Sequence, residues 1–239
     1  MEIIKSSLFN HARLQANYRF NSGALTTDSK NSFTLTNTNS VAEIATGKFG
    51  YGADFSSNNT NKNLARSGAM GSNGERTILF WGARWGELTS GIDEMVQFQH
   101  QGNHAQYQLR YYESGGNNYL TVGRHYPAVD LSYGTPYQFS LGTDYHLFAF
   151  ERSNTNSTLK LWLDGEQTTP VINWSVGGGG LAATDAFIMG SGWDSQPASF
   201  IIDDVGVFDA LLTADERLQS WKNVQAGLPM IFGGGVTVS

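Results

Sequence analysis

The sequence predicts an all-β chain, an antiparallel two-sheet sandwich, and three observations carry that expectation. Apolar and polar residues alternate with period two over many short stretches, the pattern of half-buried strands. The stretches between them are rich in Gly, Asn and Ser, which suit turn geometry. Charged residues make up only 15% of the chain against 40% hydrophobic. Long helices build their solvent faces from Glu, Lys and Arg, so this composition favours strands and turns.

The elements follow in order. In residues 14–20, Leu14, Ala16, Tyr18 and Phe20 share one face, and Gln15, Asn17 and Arg19 the other. Val96, Phe98 and His100 alternate with Gln97, Gln99 and Gln101 in a strand expected over 96–101. Tyr107, Leu109 and Tyr111 alternate with Gln108, Arg110 and Tyr112. Leu159, Leu161 and Leu163 alternate with Lys160 and Trp162, and Asp164-Gly165 then makes a tight hairpin turn with φ > 0 at both positions. Residues 56–63, 115–118 and 177–180 read as loops. The 177–180 glycine run is not a phosphate loop, because no Lys-Ser/Thr follows it. One short C-terminal helix is expected, capped by Thr213 with Glu216 three residues on, and with Leu218 and Trp221 toward the sandwich. Residues 230–239 read as a last strand or as an arm that pairs with another chain.

At 239 residues the chain can bury a large core as one domain. It has no cysteine, so no disulfide staples it. The net charge is −6 and Lys and Arg are not clustered, which argues against nucleic acid. No apolar run approaches a membrane span. The first residues lack the apolar core of a secretory signal, so a virion-associated or cytoplasmic location is expected, with secretion by another route as the alternative.

A run of segments resembles the laminin-G-like jelly-roll domains of the concanavalin A-like lectin and glucanase superfamily. Asn17-Tyr18-Arg19-Phe20 resembles the opening Y-x-F strand, and Thr27-Asp28-Ser29 the D-S-S-G-N turn after it. Thr46-Gly47-Lys48-Phe49-Gly50 with Ala53-Asp54-Phe55 resembles G-K-F-G…A-x-x-F. Thr77-Ile78-Leu79-Phe80-Trp81 resembles T-I-S-F-W, Tyr145-His146-Leu147-Phe148-Ala149 resembles W-H-H-V-A, and Leu161-Trp162-Leu163-Asp164-Gly165 resembles L-Y-V-D-G. Ile202-Asp203-Asp204-Val205 and the stretch 210–216 resemble I-D-D-V…A-L-S-x-x-E. The resemblance implies one jelly-roll domain over 14–227, an N-terminal extension over 1–13, and a C-terminal arm or final strand over 228–239. It also implies binding of glycans or protein surfaces.

Members of this family often hold a structural Ca2+, and the matching positions here are Asn21, Asp28 and Asp203. Asn21 stands where an acid is usual, which removes a charge from the shell. The other reading is that Asp28 starts a turn and Asp203 caps backbone amides. For a glycan groove the residues near loops or on the polar phase of strands are Trp85, Arg110, Tyr112, Arg124, His125 and Trp193. Rings stack on sugar C–H faces and planar polar groups bond the hydroxyls. Trp81 and Trp162 instead match positions that pack the sheets.

Catalysis is not expected. The glucanases carry E-x-D-x-x-E, which supplies two carboxylates on one face. Here Asp93 and Glu94 are adjacent and point to opposite faces of a strand, and they read as a polar loop before residue 96. His100 and His104 are spaced for zinc only on a helix, and Gly102-Asn103 makes a turn. No G-x-S-x-G elbow is present. The expected function is a non-catalytic recognition module for glycan or a protein surface. The alternative is a virus or phage particle protein, a decoration or fibre component, that self-assembles or anchors to a shell through its termini. A polysaccharide-degrading enzyme is the minor alternative.

Overall fold

The computed structural model describes residues 2–5, 8, 11–55, 62–68, 70, 74–84, 92–99, 106–126, 129–139, 142–173, 186–190, 200–225 and 235–238. In chain order the strands begin with β1 (Glu2–Lys5), β2 (Leu14–Tyr18), β3 (Thr36–Thr38), β4 (Ala42–Gly47), β5 (Gly50–Asp54) and β6 (Asn63–Arg66). Then come β7 (Arg76–Arg84), β8 (Ile92–Gln99), β9 (Gln106–Ser114), β10 (Asn117–Tyr126), β11 (Val129–Tyr133) and β12 (Tyr137–Gln138). β13 (His146–Ser153), β14 (Thr158–Leu163), β15 (Glu166–Asn173), β16 (Ala186–Gly190) and β17 (Phe200–Phe208) precede helix α1 (Ala214–Gln225) and β18 (Gly235–Val238).

Two antiparallel sheets pack face to face. The front sheet runs β11-β10-β9-β8-β16-β6-β3, with β12 also pairing β10. The back sheet runs β15-β14-β13-β7-β17-β5-β4, and β2 shares one side of β17 with β5. Neighbours distant in sequence, such as β7 and β17 or β8 and β16, bind the two ends of the chain into both sheets. The fold is therefore an all-β jelly-roll sandwich with one short C-terminal helix.

The inner core is the apolar phase of both sheets. Tyr107, Leu109, Tyr111, Leu120 and Val122 come from the front, and Ile78, Phe80, Phe148, Phe150 and Ile202 from the back. Phe80 and Phe148 stack across neighbouring strands at 5.0 Å. Leu159, Leu161 and Leu163 point inward as their alternation requires. The turn after them has φ of 51° at Asp164 and 87° at Gly165, the mirror-image turn that matches strand twist. Gly47 is also needed: a Cβ there would lie 2.4 Å from the Tyr51 carbonyl carbon.

The alternation in β2 is broken at one point. A register shift sits between the pairs Val207–Ala16 and Phe208–Leu14. The extra residue turns Leu14 out of the inner core, where Ala16, Tyr18 and Phe20 stay, and into a second cluster behind the back sheet. That second cluster holds Leu8, Leu79, Trp81, Leu147, Ala149, Phe208 and Leu212.

Helix α1 and residues Leu8, His11 and Leu14 cover this outer face. The capping box forms as expected: the Glu216 N–H donates to Thr213 Oγ1 at 3.3 Å, and the Thr213 N–H donates to Glu216 Oε2 at 2.7 Å. Trp221 stacks on Trp81 at 6.0 Å. Leu218, however, is exposed. The inward face is set instead by Arg217, Ser220 and Asn223. Arg217 pairs with buried Glu151, donates to the Leu212 carbonyl, and lies 3.6 Å from the Trp162 ring centre. Trp162 Nε1 donates to the other oxygen of Glu151 at 2.7 Å. Burial raises the Glu151 pKa, and Arg217 opposes that rise.

The terminal segments pair with each other. β1 and β18 form a separate two-stranded antiparallel sheet in the register Glu2–Val238 to Lys5–Gly235.

Candidate functional site

The outer face of β9 and β10 carries two of the expected binding residues. Gly115 and Gly116, at φ of 60° and 78°, make a two-residue turn. β10 therefore starts at Asn117, earlier than the loop expected over 115–118 allows. The turn fixes the register Ser114–Asn117, and with it Tyr112–Tyr119, Arg110–Thr121 and Gln108–Gly123. Inward Tyr111 and Leu120 form the intervening pair. Tyr112 and Tyr119 thus share the outer face and stack at 5.4 Å with 26° between the rings. Both are half-buried. Burial first, then neighbouring Tyr119, raises the Tyr112 pKa, so its hydroxyl stays a neutral donor and acceptor.

Exposure falls along this face. The tyrosine pair is accessible, Arg110 and Thr121 are buried, and Gln108 is wholly buried. Thr121 Oγ1 donates to the Gly134 carbonyl at 3.1 Å, which ties the segment after β11 back over β10. Arg124 and His125 continue the same strand, with Arg124 in register with Tyr107 and His125 with Gln106. Trp85 and Trp193 lie outside the described residues. Tyr119 was not singled out from the sequence; counting register across the two-glycine turn would have found it.

β8 starts at Ile92, so Asp93 and Glu94 are strand residues rather than a polar loop. Asp93 pairs with Tyr111 and Glu94 with Arg110, which places them in successive rows of the sheet. His100 and His104 lie outside the described residues.

Asn21, Asp28 and Asp203 occupy three different settings. Asn21 is exposed, and its carbonyl accepts the Ala24 N–H at 2.8 Å. Asp28 is buried and gathers four backbone amides. Oδ1 accepts from Asn17 at 2.8 Å and Lys30 at 2.8 Å, and Oδ2 from Asn31 at 2.9 Å and Phe33 at 3.3 Å. Asp203 is wholly buried, with Oδ2 accepting from Phe49 N at 2.7 Å and Oδ1 from Asp204 N at 2.7 Å. A bulge follows it: Asp204 takes φ of 45°, and the register with β7 shifts between Asp203 and Gly206. Burial and then the Asp204 charge raise the Asp203 pKa to about 7.

Calcium asks for several ionised oxygen donors turned to one point. The two carboxylates here are turned to backbone amides of different segments. Among the described residues no three acids or histidines gather as a metal cluster. As placed, the donor set does not fit calcium.

No family model and no curated protein matches the sequence. Solved structures do match. The chain is similar to domain 4 of AbnA, a GH43 extracellular arabinanase from Geobacillus stearothermophilus, solved with arabinotriose. That likeness has a TM-score of 0.64 at 18% identity and covers 86% of this chain and 96% of that one. It is similar to the binding domain of Paraclostridial Mosquitocidal Protein 1, with a TM-score of 0.67 at 11% identity, over 91% of this chain and 53% of that one. It is also similar to Trypanosoma rangeli sialidase in complex with sialic acid, with a TM-score of 0.67 at 12% identity, over 90% of this chain and only 33% of that one. At these identities the likeness is one of fold: the chain is an antiparallel two-sheet jelly-roll β-sandwich.

Proposed function

We propose that the chain is a non-catalytic recognition module that binds glycan on the outer face of the front sheet. The observation that carries this is the Tyr112–Tyr119 pair. Two stacked, half-buried rings on a rigid sheet offer an apolar platform for the C–H face of a sugar ring at little entropic cost. Arg110 and Thr121 form the next row and bring polar groups beside it. His125, on the strand phase of Tyr119 and Thr121, is proposed as an outer contact, together with Trp85 and Trp193, which lie outside the described residues; Arg124 falls on the other phase, in register with inward Tyr107.

The fold neighbours support the class of function. One is an arabinanase domain solved with arabinotriose, and another is a toxin's binding domain. The order of motifs along β2, β7, β13, β14 and β17 supports placing the module in the laminin-G-like branch. Structural calcium has no support from the placement of Asn21, Asp28 and Asp203.

A glycan-array screen of the intact chain tests the proposal. The expected result is retention of a defined glycan group, weakened about tenfold in Tyr112→Ala and in Tyr119→Ala, the loss of one stacked ring. Trp85→Ala and Trp193→Ala test the outer contacts in the same screen. A blank array, or both tyrosine variants binding as the parent does, sinks it.

The second reading, display on or anchoring to a particle, has one observation in its favour. β1 and β18 form a ribbon separate from the sandwich, and each is paired with one strand only among the described residues. An open strand edge is a template for another chain. Removing residues 228–239 should then abolish a concentration-dependent oligomer in sedimentation. A parent chain that is monomeric at every concentration tested argues against it.

A further inference from the structure

A hollow of about 460 Å³ opens at the rim of the sandwich. One of its walls, β12, is the direct neighbour of Tyr119 on β10, but lining Tyr137 pairs with inward Leu120, on the other strand phase from Tyr119. It lies where three elements meet: β12, the β14–β15 turn, and α1. Tyr137, Phe139 and Trp221 supply its rings, and Asp164, Glu166 and Gln167 its main polar groups. Among the described residues, Arg110, Tyr112, Arg124 and His125 do not line it.

The rings are fixed. Tyr137 and Phe139 stack at 6.1 Å, and the His146 ring meets Phe139 edge-on at 4.9 Å. Trp221 is held against Trp81. The turn is fixed too. Asp164 N donates to the Leu147 carbonyl at 2.8 Å, Asp164 Oδ1 accepts from Leu147 N at 2.9 Å, and Asp164 Oδ2 lies 2.7 Å from His146 Nδ1. A site built this way orders little on binding. Glu166 and Gln167 differ from Asp164, being exposed with no side-chain hydrogen bond among the described residues.

From this geometry we propose a second ligand site in the hollow, for a neutral saccharide unit. Half-buried rings give the apolar wall that sugar C–H faces need. Carboxylate and amide oxygens accept from hydroxyls, and the Gln167 amide donates. The volume lies within the range of small-ligand pockets, about 300–1,000 Å³. The charge sets the selectivity. Among the described residues two carboxylates line the hollow and no Lys or Arg does, so a sialylated, uronic or phosphorylated ligand is repelled. A quaternary ammonium suits the charge but not the rings, because Tyr137 and Phe139 stack on each other rather than closing a box around a cation. This site lies on the other phase of β10 and β12 from the tyrosine platform and makes the chain bivalent if both bind.

Nuclear magnetic resonance titration of the intact chain tests it. The probes are lactose, maltotriose and xylotriose, then 3′-sialyllactose, then choline. We expect a neutral saccharide to shift the amides of Gly165, Glu166 and Gln167 and the Trp221 indole, with a Kd on the order of millimolar. The affinity should fall about tenfold in Glu166→Ala, the loss of one charge-assisted hydrogen bond. Gln167→Ala should weaken it less, and Tyr112→Ala should leave it unchanged. Sialyllactose should bind more weakly than lactose. Both turn residues are exposed, so an unchanged melting temperature separates lost contacts from lost fold. The proposal is overturned if no neutral saccharide shifts the turn or choline alone does. It is equally overturned if the shifts vanish in Tyr112→Ala, which would assign them to the platform.

Discussion

On the back sheet, the outer side of β7, β13 and β17 carries Trp81, Leu79, Leu147, Ala149 and Phe208, and α1 with Leu8, His11 and Leu14 seals it. On the front sheet, the outer side of β9 and β10 carries Gln108, Arg110, Tyr112, Thr121 and Tyr119. Both faces come from strands with the same period-two pattern. They differ in what their outward phase is made of. The back face repeats apolar residues on both phases, so it needs a cover and becomes a second core. The front face alternates properly, so its outward phase stays polar and aromatic: Gln108, Arg110 and Thr121 are buried through polar contacts, and Tyr112 and Tyr119 stay accessible.

Substitutions should separate the two faces. Trp81→Ala removes a wholly buried ring that Phe49 meets edge-on and Trp221 stacks upon. It should cost about 4 kcal/mol in urea unfolding, whereas Tyr112→Ala on the other face should cost under about 0.5 kcal/mol. Equal losses at the two positions would erase the distinction.

Arg217→Ala comes next. It strands the buried Glu151 carboxylate and should cost about 3 kcal/mol. The pair Glu151→Leu with Arg217→Met should recover most of that loss, since an apolar pair can replace a buried ion pair. If the double variant is as unstable as the single one, the ion pair is not what fixes the helix.

Asp203 adds a pH dependence. Its pKa rises from an ordinary 3.8 to about 7 in the folded chain, so the folded state holds this proton more tightly than the unfolded state. Its contribution is full below 3.8 and is lost as pH rises to about 7. The difference at neutral pH is on the order of a few kcal/mol. Stability curves of the parent and Asp203→Asn should converge at low pH and diverge above it, with the variant flatter. Parallel curves across that window would contradict the assignment.

Two smaller effects complete the series. Thr213→Ala removes the N-cap of α1 and should lower stability by about 1 kcal/mol, loosening the cover on the back face only. Calcium against chelator should change the melting temperature little, a shift worth under about 0.5 kcal/mol. A large rise on adding calcium would revise the reading of Asp28 and Asp203.

The strands were legible because their alternation is local. The Asp164-Gly165 turn and the Thr213–Glu216 box were legible for the same reason, each being a few residues with one geometry. What escaped was set by partners distant in sequence. Leu14 changes core because of a bulge against Phe208, 194 positions away by number. Leu218 is exposed because Arg217 turns inward to Glu151, and no hydrophobic period marks an arginine as buried. Tyr119 became visible only once the Gly115-Gly116 turn set its register with Tyr112. Of the residues singled out from the sequence, Arg110 and Tyr112 lie in adjacent rows of the candidate face, while Asn21, Asp28 and Asp203 answer to separate backbone segments.

The ribbon of β1 and β18 has a mechanical consequence. Its antiparallel register sets Glu2 beside Val238. Tension applied through the two ends of this ribbon therefore acts along its hydrogen bonds, not along its strands. The ladder opens like a zipper, from the Glu2–Val238 pair inward to Lys5–Gly235, one pair at a time and at low force. The load reaches the sandwich only after that, at the point where Leu8 is buried in the outer core. The closed ribbon thus carries the load past the sandwich, and the ladder opens before the two sheets feel the pull.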